Sequence, residues 1–291
     1  MHNRAFPKWR ACSHLFVLLA CFPALAQEPE LVLRYLIPPE TVEQPSDQEQ
    51  AAITAAICDG KTDKGRCDTC PGSSEPGNNG GGFSLGRVIL GHFLAPNSSD
   101  AFATISGCEQ MHASIGWGFL LTRRPAKWEK LEEVLGLELD HCHRMRFRTG
   151  RQLLICEDYR MQQFNLTHSV TAVFARGQSI VFRNLVSATD TTRYCYPQDR
   201  RPQKALIDKI EFRGQNTGGI KEISFTASFG TLPDSERRQQ LCQQAEKGKP
   251  GVRRPEPKVM KTYKIEYQFD GQRFTLTKDS QAAAKLLQWE N

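Results

Sequence analysis

Residues 262–277 read TYKIEYQFDGQRFTLT. Tyr263, Ile265, Tyr267 and Phe269 alternate with Lys264, Glu266 and Gln268, the period of two that turns one face of a strand to a core and the other to water. Asp270-Gly271 then supplies neighbouring residues tolerant of positive φ, as a type I′ turn requires, and residues 273–277 return as the second strand. Two places upstream predict further hairpins. Residues 145–147 and 153–155 flank 148–152, which contains Gly150, and residues 169–175 and 179–185 flank Arg176-Gly177. From Phe83 onward, short β segments separated by turn signals predict a mainly β, antiparallel chain.

Three short helices interrupt this pattern. Ser46 is placed to cap the first, with Asp47 and Glu49 in the first turn and Ile53 and Ile57 on one face; it stops at Cys58-Asp59-Gly60. A second is expected over residues 236–247, ended by Gly248, and a third over 280–289, opened by Asp279-Ser280. Residues 31–37 read as a strand that Pro38-Pro39 terminates. Residues 61–82 are rich in Gly, Ser, Asn, Pro and Cys and read as a stapled connector. The expected division is therefore 1–27 as a leader, 28–82 as a strand, helix and Cys/Gly-rich loop, and 83–291 as the β domain.

Three stretches share one grammar of a strand ending in Phe, a polar turn and a second apolar strand: 87–106 with Phe93, 143–156 with Phe147, and 208–226 with Phe212. Each is followed by a further strand pair, at 115–134, 169–185 and 262–277. Four strands per unit is the size of a propeller blade. Gly91-His92-Phe93 followed by Asp100, and Glu211-Phe212 followed by Gly218-Gly219 and Glu222, resemble the FG-GAP/VCBS type of extracellular β-propeller repeat. The resemblance covers roughly residues 86–277. It implies an antiparallel meander of blade-like four-stranded units, closed as a propeller or open as a twisted sheet or sandwich, and a noncatalytic binding role. Calcium does not carry over, because residues 94–100 offer Asn97, Ser98, Ser99 and Asp100 without the spaced acidic trio that a hard cation needs. No cofactor is implied.

The first 27 residues set the expected compartment. A basic stretch at residues 1–10, an apolar run at 15–26 and the small-residue site Ala24-Leu25-Ala26 read as a secretory signal. The alternative is a lipoprotein box, Leu18-Leu19-Ala20-Cys21, with a lipid anchor on Cys21. No apolar run reaches the roughly 20 residues of a membrane-spanning helix. Removing the leader takes away Arg4, Lys8 and Arg10 and no acid, leaving 35 basic against 32 acidic side chains, a net +3. That balance speaks against nucleic acid as a partner, which would need a concentrated basic face.

Cleavage also leaves eight cysteines: Cys58, Cys67, Cys70, Cys108, Cys142, Cys156, Cys195 and Cys242. An even count in an oxidising compartment predicts four disulfides, each worth about 2–4 kcal/mol. Spacing alone leaves the connectivity open; the pairs first expected are Cys58 with Cys67 or Cys70, Cys108 with Cys142, and Cys195 with Cys242.

Trp117, Trp128, Tyr159, Tyr194 and Tyr196 are aromatic residues not committed to a core face, and of these Trp117, Tyr159, Tyr194 and Tyr196 are the expected contacts to a protein or glycan partner. Trp117 stands between Gly116 and Gly118, where it would equally fill space at a strand crossing. A rival reading is a hydrolase in which His112 or His141 works with Glu109, Glu157 or Asp158 as acid and base, although Glu157-Asp158 also reads as a solvated loop. A third is a metal protein built on Cys67, Cys70 and His141/His143, with His112 or His168 as a further ligand. No nucleophile elbow, zinc-protease helix or phosphate loop is present in the sequence.

Overall fold

The computed structural model describes residues 35–37, 45–60, 62–63, 66–67, 70, 83–107, 116–147, 149–162, 165–191, 203–214, 222–232, 243–244, 247, 256–270 and 273–287. These all belong to the unit Arg34–Asn291, one of two into which the chain divides. The leader, Cys21, the Gly-rich stretch at 71–82, Cys108, Cys195, Cys242, Tyr194, Tyr196, Glu109 and His112 lie outside the described residues.

Helix α1, Asp47–Ile57, forms where its capping chemistry predicts: Ser46 Oγ accepts the Glu49 N–H at 3.3 Å, and Asp47 and Glu49 face the positive end of the dipole. Gly60 N–H donates back to the Ala55 carbonyl at 2.8 Å and closes the helix. A disulfide from Cys58 to Cys67, with Cα atoms 5.5 Å apart, ties this end to a small ribbon of β1 (Thr62–Asp63) and β2 (Arg66–Cys67). Cys70 is also disulfide-bonded.

Twelve further strands follow, paired antiparallel in chain order within each of two sheets. The first four, β3 (Ser84–Gly91), β4 (Asp100–Ser106), β5 (Trp117–Arg123) and β6 (Trp128–Leu135), make one sheet. The other eight make a second: β7 (Cys142–Arg146), β8 (Gln152–Gln162), β9 (Asn165–Arg176), β10 (Ser179–Asp190), β11 (Gln203–Arg213), β12 (Glu222–Thr231), β13 (Lys261–Phe269) and β14 (Phe274–Leu276). The three expected hairpins are there, with Gly177 at φ +63° opening the tight β9–β10 turn.

The four-stranded sheet is buried on both faces, which explains its unbroken apolar runs. Ala101, Ala103, Ile105, Phe119 and Leu121 pack under Ile53 and Ile57 of α1. Ile89, Phe102 and Leu120 point the other way, onto Leu154, Cys156, Val173 and Ala175 of the larger sheet. The larger sheet curls so that its first strand approaches strands of its far half: the rings of Phe147, just after β7, and Phe269 on β13 lie 5.0 Å apart, and those of His143 on β7 and Phe212 on β11 stack at 5.3 Å. Tyr267 spans the curl by donating its hydroxyl to the Leu185 carbonyl at 2.5 Å. Its concave face is filled by its own side chains and by α2, Gln281–Leu287, which lowers Ala283, Ala284 and Leu287 into the core.

One expectation changes. The second and third four-stranded units are not separate blades; they join edge to edge. The joint is narrow: Asp190 pairs with Lys204, and Thr191 N–H donates to the Gln203 carbonyl at 3.0 Å. β7 and β14 are not paired among the described residues, so the sheet is curled but open. Of the three expected helices, the first and third are there as α1 and α2, and most of the one expected over 236–247 lies outside the described residues. Of the helix expected over 236–247, Gln243 and Gln244 are described and helical.

Candidate functional site

β7 begins opposite Cys156, and its partner β8 runs on beyond it. Along β8 the side chains alternate. Leu153, Ile155, Glu157 and Tyr159 share the face that becomes the concave core, while Leu154, Cys156, Asp158 and Arg160 share the face turned to the smaller sheet. β9 places Val170 across from Glu157 and His168 across from Tyr159. At the end of the concave face, one carboxylate, two aromatic rings and an imidazole are thereby brought together.

The Glu157 side chain is 0% exposed and that of His168 is 6% exposed. Every described partner of this carboxylate donates to it. His168 Nε2 donates to Oε1 at 2.6 Å, and the backbone N–H groups of Leu36 and Ile37 donate to Oε2 at 2.7 Å each. A buried carboxylate needs such partners to be tolerated at all. Residues 35–37 are therefore seated by a side chain more than a hundred positions away, and Ile37 enters the concave core at 1% exposure. Residues 35–37 form a bend here; the expected strand over 31–37 is absent from its described part.

The aromatic groups form a stepped stack. The Tyr159 ring lies over His168 with centroids 4.0 Å apart and planes 13° apart. Tyr35 meets Tyr159 edge to face at 5.0 Å, and its other side stacks on His141 at 3.3 Å. Burial, and then the negative charge of Glu157, push the Tyr159 phenol well above its ordinary range. Burial, with Asp158 next, raises Tyr35. Both phenols stay neutral.

A second group of charges lies beside this stack, on the outward face. Arg160 pairs with Asp158 and also donates to the Gly136 carbonyl at 3.2 Å. The Glu138 carboxyl is pushed up to about 7, first by burial, then by the charge of Asp158 and a hydrogen bond between the two carboxyls. The Glu138 carboxyl thus exchanges its proton near neutral pH.

Of the residues singled out from the sequence, Tyr159 is in this site. Trp117 opens β5 on the smaller sheet and packs against the cluster under α1, and Trp128, which opens β6, is buried in that cluster and so is committed to the core after all. The glycine after Trp117, Gly118, has a packing reason, because a Cβ there would overlap the Leu137 side chain. Glu157-Asp158 lies within β8, not in a solvated loop: the alternation of Leu153 and Ile155 carries on through Glu157 to Tyr159. The expected Cys108–Cys142 pair is replaced by Cys142–Cys156, whose Cα atoms face each other at 4.0 Å because the β7–β8 register sets them opposite. His141 and His143 are half-buried and stacked on Tyr35 and Phe212. The cysteines of the proposed metal centre, Cys67 and Cys70, are disulfide-bonded, and among the described residues no three His, Cys, Asp or Glu side chains converge as a metal site.

Asp100, the acidic residue of the calcium-type loop, offers a parallel to Glu157. It is 1% exposed and uses one oxygen on the preceding loop, accepting Phe93 N–H and Leu94 N–H at 2.8 Å each, and the other on the cross-strand Thr122 hydroxyl at 2.9 Å. Fold and site together define a class: an antiparallel, disulfide-linked two-sheet β protein whose larger sheet carries a buried carboxylate beneath an aromatic stack. No protein-family model, curated protein or solved structure matches the chain.

Proposed function

We propose that this is an exported, disulfide-stapled binding module that acts on a partner without chemistry, and that its recognition site is the seat formed by His141, Tyr159 and His168 over Glu157, where residues 35–37 now lie. The observation that carries this reading is the saturation of Glu157. Its oxygens are occupied by two backbone N–H groups and an imidazole, so it recognises polypeptide backbone and has no described lone pair aimed at a reacting atom. The leader-like first 27 residues and the disulfides support export, and the likeness of the strand units to extracellular repeat modules supports a partner that is a protein or glycan. The basic side chains on the outer face of β11–β13 support the exclusion of nucleic acid, since Lys209, Arg213 and Lys264 are each paired with a glutamate. The test is binding of the oxidised full chain to a panel of envelope proteins and glycans by interferometry. Binding that Tyr159→Ala reduces at least tenfold is the expected result; binding indifferent to Tyr159 and His141 overturns this placement of the site.

One observation favours a second reading. A carboxyl that titrates near 7 beside an acidic partner is the arrangement of a general acid, and His141 lies close by, stacked on Tyr35. Turnover of a peptide, ester or glycoside substrate that Glu138→Gln abolishes, with the fold intact, would establish hydrolysis in place of binding.

A further inference from the structure

Residues 35–37 are held the way a ligand is held. They make no ladder with any strand among the described residues; their described backbone hydrogen bonds both end on one side chain, Glu157. The sequence information in the seat lies at two positions. Tyr35 fits between the His141 face and the Tyr159 edge, and Ile37 fills an apolar place among the concave-face residues. Leu36, between them, contributes mainly its N–H and rests partly buried on the same core. A carboxylate that reads two successive N–H groups, an aromatic slot and an aliphatic pocket one residue apart amount to a receptor for an extended segment of the pattern aromatic-x-aliphatic.

We infer that the partner of this site is such a segment, and that residues 35–37 are its internal stand-in, displaced when the segment arrives. The inference rests on the binding reading above and adds the partner's chemistry and the means of its control. Asp100 supplies the contrast. Its two N–H donors come from the adjoining loop, six and seven residues away, and cannot be exchanged without dismantling that loop. The donors to Glu157 come from 120 and 121 residues away. An occupant tethered in cis competes at an effective concentration of the order of millimolar, so the intact chain shows only a fraction of its intrinsic affinity, and weakening the tethered occupant reveals the rest.

The experiment uses the oxidised full chain and a fluorescent peptide of residues 33–39, LRYLIPP, followed by anisotropy. The chain carrying Tyr35→Ala and Ile37→Ala is expected to bind the peptide at least tenfold more tightly than the unaltered chain. A peptide with alanine at both positions should fail to bind, and Glu157→Gln added to the double variant should weaken binding at least tenfold. Because Ile37→Ala removes a core side chain, Tyr35→Ala alone serves as the second variant; it keeps Ile37 in place and is expected to show a smaller gain. Failure of both variants to bind the peptide while they retain native near-ultraviolet circular dichroism overturns the inference. Residues 35–37 are then a fixed part of the fold. The binding reading fails separately, if no panel ligand depends on Tyr159.

Discussion

Replacing Glu157 separates a structural anchor from a bystander. In Glu157→Ala, three donors lose their acceptor: the N–H groups of Leu36 and Ile37 and Nε2–H of His168. A buried donor left unsatisfied costs about 1–3 kcal/mol. The three losses overlap, because residues 35–37 can lift into water once the carboxylate is gone. The expected destabilisation is about 3–5 kcal/mol, the range for breaking a buried, hydrogen-bonded charge. Glu157→Gln keeps shape and one acceptor but turns an amide NH2 toward either the backbone donors or the imidazole. It forfeits the charge-assisted part of the bonds, and about 1–2 kcal/mol is expected. At roughly 2–4 °C per kcal/mol for a chain of this size, the alanine variant should melt about 6–20 °C lower and the glutamine variant about 2–8 °C lower. Guanidinium unfolding with disulfides intact gives the free energies, and hydrogen exchange gives the location, since the Leu36 and Ile37 amides should lose protection first. An alanine variant within about 1 kcal/mol of the native protein, with those amides still protected, would refute the reasoning.

Other outcomes follow from the same structure. Peptide mapping without reduction should recover Cys58–Cys67 and Cys142–Cys156 as linked peptides, and Cys142→Ser with Cys156→Ser should cost about 2–4 kcal/mol by chemical denaturation; a Cys108–Cys142 peptide would contradict the β7–β8 register. Glu138 is raised to about 7 in the folded chain, so the native state holds a proton that the unfolded state releases from about pH 4.5 upward, and stability should fall as pH rises from there through 7. Thermal melts across pH 4–8 should show this slope, and Glu138→Gln should flatten it. Tyr267→Phe removes the hydroxyl that bridges β13 to the Leu185 carbonyl, at an expected cost of about 1–3 kcal/mol, read by urea unfolding. Gly118→Ala should destabilise by about 1–3 kcal/mol through overlap with Leu137; a neutral result would mean that β5 and Leu137 can move apart.

Much of the strand order is legible in the sequence because hairpins are local. The Gly177 turn and the alternation of Tyr263, Ile265 and Tyr267 need no distant partner to be read, and neither does the Ser46 cap. What was not legible depends on register and on which edges meet. Cys142 finds Cys156 because β7 starts where it does, a fact no cysteine spacing encodes. The edge-to-edge joining of the second and third units turns on a single residue pair at Asp190 and Lys204. Within the site, Tyr159 could be named as an uncommitted aromatic, whereas Glu157 looked solvated because Asp158 follows it and acidic pairs favour water. The usable signal was the unbroken alternation Leu153, Ile155, Glu157, Tyr159. Tyr35 was concealed by its setting in an apolar stretch that reads as a strand.

The strictly sequential pairing of the strands also bears on the order of assembly. Every strand from β4 to β6 and from β8 to β14 meets a partner that was synthesised just before it, so these sheets can grow by addition at one edge as the chain emerges, with loop closures that stay short. Residues 35–37 do not follow this rule. They are made before any of these strands, yet their acceptor on β8 arrives 120 residues later, after the entire smaller sheet. Tyr35 and Ile37 must therefore wait, exposed, while four strands are completed. During that interval an apolar, aromatic segment is open to chaperones and to other copies of the chain.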